Sequence, residues 1–139
     1  MGRILAIDYG RKRCGLAVTD PLKLIAHALE TVPTSTLEAY LADYLQREEV
    51  DTVVVGLPLQ MDATPSESAR YIEPFVKRLA KLCPDIPIER VDERFTSKMA
   101  FQTMIDAGLK KKKRQEKGLV DALSATLILQ TYMQNPNRL

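Results

Sequence analysis

Short apolar runs and amphipathic stretches alternate along this chain, a pattern typical of α/β proteins. Five apolar runs predict strands, at residues 3–8, 14–19, 24–32, 51–58 and 86–91. The fourth run contains three consecutive valines, which indicates a strand buried on both faces of a sheet. Pro87 lies in the fifth run and favours an edge position, because proline cannot donate a ladder hydrogen bond.

Four amphipathic stretches predict helices, at residues 36–48, 64–82, 96–107 and 119–133. Thr64, Pro65 and Glu67 form a capping box at the start of the second helix. Pro74 lies inside that helix and predicts a kink or a split. Residues 110–118 are predicted to be a charged loop, and residues 134–139 a frayed tail.

The order of these elements predicts a three-layer α/β fold in one domain spanning residues 1–139. Tight turns between the first three strands imply an antiparallel meander, whereas the later strands need helical crossovers and run parallel to the first. The result is a five-stranded mixed sheet flanked by helices. Sites in such sheets form at the carboxyl ends of strands, near a switch in strand order. Asp8 is expected at that edge.

Composition narrows the function classes. The chain has 139 residues and a net charge of +2, so affinity for nucleic acid has to come from a local patch. No apolar stretch is long enough to span a membrane, and Cys14 and Cys83 are expected to be reduced thiols in a cytoplasmic protein. The absence of Trp and the presence of only three Phe argue against an aromatic platform for single strands.

Four acidic residues are candidates for chemistry. Asp8 ends the first strand, Asp92 and Glu93 end the fifth, and Asp121 lies in the first turns of an apolar helix. Asp8 can also be explained as a turn residue and Asp121 by the helix dipole. If Asp8, Glu93 and Asp121 converge, their mutual repulsion calls for a cation, and hard oxygen ligands favour Mg²⁺ or Mn²⁺. One or two such ions support hydrolysis of a phosphodiester.

Candidate nucleic-acid contacts surround these acids. Gly10 allows the backbone to approach a phosphate closely, and Thr96 and Ser97 open a helix whose amides can bind one, although Thr96 also serves as a plain cap. A run of positively charged residues just before the last helix can bind along a phosphate backbone, or it can be a solvent-exposed turn. The cationic candidates are Arg11, Lys12, Arg13, Lys110, Lys111, Lys112, Lys113, Arg114 and Lys117.

Four motifs, in order, resemble the YqgF/RuvX family of Holliday junction resolvases and ribosomal RNA precursor nucleases. They are "AIDYGRKRCGLAV", "VVVGLPLQMD", "VDERFTS" and "VDALSATLILQ", and they span almost the whole chain. The resemblance implies an RNase H-like fold, with Asp8, Glu93 and Asp121 as the catalytic, metal-binding acids and Asp92 and Arg94 in support. Cys14 and Ala63 depart from the family pattern, in which an aliphatic residue and a glycine are usual.

Three functions remain open at this point. The first is a metal-dependent nuclease that matures the 5′ end of pre-16S ribosomal RNA, or alternatively cuts branched DNA as a junction resolvase. The second is a non-catalytic nucleic-acid-binding protein of ribosome assembly, with ribosomal or processing factors as partners. The third rests on "DYGRKRCGLAV", which also resembles the phosphate loop of actin-like ATPases and sugar kinases. Those enzymes need a second domain, for which this chain has no room.

Overall fold

A computed structural model of the chain describes residues 2–57, 69–92 and 117–134, with side chains in the last segment described from residue 123 onwards. The capping box, the helix predicted at 96–107, the loop up to residue 116 and the tail from residue 135 lie outside the described residues.

All five predicted strands are present, with their ends shifted by at most two residues where those ends are described. They are β1 Arg3–Asp8, β2 Arg13–Thr19, β3 Ala26–Pro33, β4 Val50–Leu57 and β5 Ile88–Asp92. The third begins two residues later than predicted, because the amides of Leu24 and Ile25 donate to the Asp20 carboxylate, at 2.9 and 2.8 Å. Those residues therefore belong to a turn.

Three helices are described: α1 Leu37–Arg47, after a 3₁₀ turn at Thr34–Thr36, then α2 Ala69–Leu82 and α3 Lys117–Gln134. The split predicted at Pro74 is wrong, since α2 continues through it. Pro74 is exposed, so water can satisfy the carbonyl that its missing N–H leaves unpaired. The predicted loop is also two residues too long, because α3 begins at Lys117. Gly118 therefore belongs to the helix. The next turns of the helix pack against the sheet, and this packing offsets the entropy cost of a glycine near the helix start.

The strand order is β3-β2-β1-β4-β5. The first three strands form the predicted antiparallel meander, and β4 and β5 run parallel to β1. The fifth strand is at the edge, as Pro87 indicated. The first strand, β1, is central. The chain adds β2 and β3 on one side of it and then β4 and β5 on the other.

The sheet is buried on both faces. One face packs against α1 and α2 through side chains that include Leu5, Ile7, Val53, Val55, Leu41 and Phe75. The other packs against α3 through Ile4, Ala6, Val54, Ala125, Ile128 and Leu129. The three valines therefore alternate between the two cores, which explains a continuous apolar run in a buried parallel strand.

Both cysteines are buried thiols, as predicted. No helix in the described parts of the chain is long and apolar enough to cross a membrane.

Candidate active site at the carboxyl end of the sheet

Asp8 is the half-buried last residue of the central strand β1. It pairs with Gly15 of β2, and the register of β1 with β4, in which Ile7 pairs with Val55, brings it level with Gly56. Both neighbours of this carboxylate in the sheet are therefore glycines. Since glycine has no Cβ, neither neighbouring residue places a side chain beside this carboxylate.

The face on which Asp8 lies follows from the alternation of the strand. Ile4 and Ala6 pack in the core beneath α3, whereas Leu5 and Ile7 pack in the core beneath α1 and α2. Asp8 thus belongs to the α3 face. The glycines have the same parity, because Ala17 of β2 and Val54 of β4 also pack beneath α3.

The direction of α3 is fixed by its last turns. Gln130 and Met133 line a groove together with Ala26, which starts β3 and pairs with Thr19. The Thr19 hydroxyl in turn accepts from the Ile4 amide at 2.9 Å, near the beginning of β1. The carboxyl end of α3 therefore lies at the start of β1. Its first turns lie at the opposite end of the sheet, the end at which Asp8 is found.

Asp121 is in those first turns, four residues before Ala125. Four residues is the spacing of one row along a helix, and Ala125, Ile128 and Leu129 form the row that packs on the sheet. The backbone at Asp121 therefore lies at the same end and over the same face as Asp8. Its side chain is outside the described part of the chain.

Asp92 reaches the same edge of the sheet but not the same face. It ends β5 and pairs with Leu57 of β4, so about 10 Å separates its strand from β1. Val91 packs beneath α3, and alternation consequently places Asp92 on the α1 and α2 face. The structure therefore does not bring Asp92 onto the face of Asp8.

The remaining predicted residues are outside the described side chains. These are Glu93, Arg94, Thr96, Ser97, Lys110, Lys111, Lys112, Lys113, Arg114 and Lys117, the last described only as the first backbone position of α3. Among the described side chains, no group of three histidine, cysteine or acidic residues is arranged to hold a metal ion. Of the three predicted ligands, Glu93 and Asp121 are not among these described side chains.

The loop that follows Asp8 is held tightly from below. The Thr34 hydroxyl donates to the Gly10 carbonyl at 2.6 Å, and the Thr34 amide donates to the Lys12 carbonyl at 2.9 Å. A Cβ on Gly10 would overlap the carbonyl oxygen of Arg13. Glycine is therefore required here by close packing within the loop, a reason additional to the phosphate contact predicted for it.

Arg11 and Lys12 in this loop, and Arg13 at the start of β2, are exposed at the edge of the site. The Arg11 guanidinium lies over the ring of Tyr71 in α2, 4.6 Å from its centroid. Beneath it, Tyr9 stacks on the fully buried Phe75, with 4.6 Å between ring centroids. Sequence reasoning did not find these aromatic partners, because α2 is more than 50 residues from the loop in the chain.

Arg90 joins three elements beside the site, and it too was not found from the sequence. Its guanidinium donates to both carboxylate oxygens of Glu73 in α2, at 2.8 and 2.9 Å. It also donates to the carbonyls of Val55 and Gly56, at 3.2 and 3.0 Å. The hydrogen bond from Arg90 lowers the pKa of Glu73 below its usual value, which keeps this carboxylate ionised. Arg90 thereby holds the end of β4 that lies next to Asp8.

Comparison with known proteins identifies the family. A family model described as "RuvX: Holliday junction resolvase" matches residues 2–135. The chain belongs to the RuvX family. A Porphyromonas gingivalis protein is 59% identical over 138 residues, which is 99% of this chain and 100% of the relative. A Christiangramia forsetii protein is 59% identical over 133 residues, covering 96% and 98%. Both are named "Putative pre-16S rRNA nuclease".

Among solved structures, the chain resembles a Thermus thermophilus RuvC in complex with a Holliday junction substrate. The TM-score is 0.56 with 21% identity, and the match covers 92% of each chain. A likeness at this level of identity concerns the fold, and it agrees with the predicted RNase H-like architecture. The predicted family and fold are thus confirmed, and with them the assignment of the RuvX chain as a nuclease that hydrolyses phosphodiesters.

Proposed function

We propose that this nuclease acts on the precursor of 16S ribosomal RNA and matures its 5′ end in the cytoplasm, with residues 1–139 working as one domain. One observation supports the chemistry above all others. A half-buried carboxylate, Asp8, stands at the centre of the carboxyl edge of the sheet between Gly15 and Gly56. The choice of ribosomal RNA follows the names of relatives that share 59% identity over nearly the whole chain.

The surroundings of Asp8 suit a phosphodiester. The two neighbouring glycines leave room for a phosphate to approach the strand ends, and a side chain on either would narrow that room. Arg11, Lys12 and Arg13 are exposed directly after the carboxylate and balance phosphate charge. The edge therefore combines an acidic centre with a cationic border, the arrangement needed to bind an anionic backbone beside an acidic group.

Asp8, Glu93 and Asp121 are proposed to hold Mg²⁺ or Mn²⁺. Carboxylate oxygens are the donors that these hard cations prefer, and the backbone positions of Asp8 and Asp121 share one end and one face of the sheet. When bound, such an ion supplies Lewis-acid stabilisation of the charge that develops during phosphodiester hydrolysis. Arg94 is assigned a supporting role, and so is Asp92, which would act from the other face of the sheet edge.

The cationic surface is proposed to extend beyond the loop after Asp8. Lys110, Lys111, Lys112, Lys113, Arg114 and Lys117 precede or begin the helix that contains Asp121, and Thr96 and Ser97 follow Glu93 closely in the sequence. A phosphate backbone held by these residues runs toward the acidic centre. The slope of log K against log salt concentration measures how many phosphates are bound. Neutralising residues 110–114 is expected to reduce the size of this slope by about 0.7 to 0.9 for each phosphate contact that is lost.

Cleavage assays test the proposal. The purified chain is incubated with an RNA containing the 5′ precursor segment of 16S ribosomal RNA, in Mg²⁺, in Mn²⁺ and in a chelator. We expect cleavage with either metal, none in the chelator, and none by Asp8→Asn in any condition. Cleavage that continues in a verified metal-free solution contradicts the metal assignment, and an active Asp8→Asn variant contradicts the site.

A junction resolvase is the second candidate, favoured by the description of the matching family model. A four-way DNA junction in the same assay separates the two. Cleavage of the junction without cleavage of the RNA favours the resolvase. Binding of the RNA without cleavage, equal for the unmodified chain and Asp8→Asn, favours a non-catalytic role in ribosome assembly.

A further inference from the structure

The low aromatic content of the chain argued against a stacking platform, yet the fold gathers three aromatic side chains beside the candidate site. Tyr9 stacks on Phe75, and Tyr71 is four residues before Phe75, on the preceding turn of α2. Tyr71 is 39% exposed although it is a large aromatic residue. Its ring carries the exposed Arg11 guanidinium at 4.6 Å.

We propose that Arg11 and Tyr71, here called the stacking pair, bind an unpaired base of the substrate next to the scissile phosphate. Unpaired bases in RNA stack on aromatic rings and on the guanidinium planes of arginines, and in the stacking pair the Tyr71 ring supports the exposed Arg11 guanidinium. The proposal rests on the proposed nuclease function. It adds that the enzyme selects substrates in which a base near the cut is free of a partner.

The position of the stacking pair fits that role. Arg11 is three residues after Asp8, so their backbones are at most about 10 Å apart. Asp8 belongs to the α3 face of the sheet edge, whereas Tyr71 is on α2, which covers the opposite face. A nucleic-acid strand that crosses this edge therefore presents a phosphate to Asp8 on one side and a nearby base to the stacking pair on the other.

The stacking pair is also preorganised, which lowers the entropy cost of binding. Thr34 holds the loop at the carbonyls of Gly10 and Lys12, and Tyr9 is fixed on the buried Phe75. Little of the loop backbone has to be ordered when a base arrives. Lys12 and Arg13, which follow Arg11, are exposed.

The test uses Asp8→Asn protein, which binds without cutting, and labelled RNA oligonucleotides containing an unpaired stretch beside a duplex. A series of these RNAs replaces one unpaired nucleotide at a time by an abasic one. We expect affinity to fall by roughly 5- to 150-fold at one position, and by a similar factor when Tyr71→Ala is added to Asp8→Asn. Combining Tyr71→Ala with the abasic RNA at that position should weaken binding no further, because both changes remove the same stacking interaction.

Three controls make the result specific. Leu82→Ala removes a similarly exposed apolar side chain, 40% exposed, from the other end of α2 and should change nothing. Tyr71→Phe keeps the ring and should keep the affinity. Arg11→Lys keeps the charge but loses the planar guanidinium, so it should weaken binding of unpaired RNA without changing the salt slope.

The proposal is overturned if the abasic and Tyr71→Ala effects on affinity add, if no position is sensitive, or if Tyr71→Ala weakens binding of a fully paired duplex equally. These are binding measurements, so they are independent of cleavage. If the unmodified chain fails to cut the ribosomal RNA precursor, the proposed function is wrong. The affinity measurements still decide whether the stacking pair binds an unpaired base.

Discussion

The two loops at the ends of β2 are stabilised in opposite ways. The loop before β2, at the candidate site, is held by distant parts of the chain: Thr34 bonds its carbonyls, and Phe75 and Tyr71 pack against its side chains. The turn after β2 is held mainly by one of its own residues. The Asp20 carboxylate accepts the amides of three residues within the turn, those of Leu22, Leu24 and Ile25.

Charge is distributed accordingly. The site loop exposes Arg11, Lys12 and Arg13, whereas the turn exposes three apolar side chains, those of Leu22, Leu24 and Ile25. A loop whose backbone is held by its neighbours needs no carboxylate of its own to keep its shape. A turn that is stabilised by its own carboxylate keeps its shape without such neighbours, but that carboxylate is then committed to the turn.

The largest difference should be seen in catalysis, when one carboxylate charge is removed beside the site loop and one within the turn. Asp8→Asn is expected to reduce cleavage by more than about 100-fold, since losing a ligand should exceed the effect of losing an outer partner of a metal site. Affinity for the RNA should be unchanged or higher, because one negative charge is gone from the phosphate path. The matched variant Asp20→Asn, at the opposite end of the sheet, should cleave at the unmodified rate. Equal reductions in both variants would show that the effect is one of folding.

The next difference concerns stability. Phe75→Ala removes the fully buried ring under the site loop and should lower the free energy of unfolding by about 3–5 kcal/mol. Leu22→Ala in the turn, where the side chain is 60% exposed, should change it by less than about 0.5 kcal/mol. Urea titrations followed by circular dichroism measure both. A Phe75→Ala protein as stable as Leu22→Ala would contradict the account of the site loop as supported from below.

A smaller effect is expected at Gly10. The Cβ added by Gly10→Ala meets the backbone carbonyl of Arg13, which is not a flexible group, so the loop itself has to shift. Overpacking of this kind costs about 1–3 kcal/mol. Affinity for RNA, measured by titration with a labelled oligonucleotide, should fall as well, because Arg11 moves with the loop. Unchanged affinity combined with lowered stability would separate loop shape from nucleic-acid binding.

The smallest effect is a pH dependence in the turn. Hydrogen bonds from the amides of Ile25 and Leu24 hold the pKa of Asp20 below its usual value of 3.8. A carboxyl with a lowered pKa in the folded state stabilises the protein above the unfolded pKa, and that stabilisation is lost as the pH falls through the folded pKa. The stability difference between the unmodified chain and Asp20→Ala should therefore be largest above about pH 4 and shrink below it. Thermal unfolding at a series of pH values measures this, and a constant difference would contradict it.

Sequence reasoning performed well wherever a local rule determines the outcome. The valines of β4, the meander of the first three strands and the edge position after Pro87 were all predicted correctly, because burial and hydrogen-bonding rules for strands operate over a few residues. The end of the sheet at which Asp8 lies was predicted for the same reason. The split at Pro74 was wrong because water can satisfy the carbonyl freed there, and the late start of α3 was wrong because packing of its next turns outweighs Gly118.

By itself, the sequence determined the elements, their order and the residues available for chemistry, since periodicity and motif spacing are properties of the chain. Only the tertiary structure decided which of these residues meet. The register set Asp8 between two glycines, and alternation put Asp92 on the other face. Packing of α2 brought Tyr71 and Phe75 under a loop that is distant from them in the sequence. Such contacts depend on how the helices close over the sheet, and no local pattern encodes them.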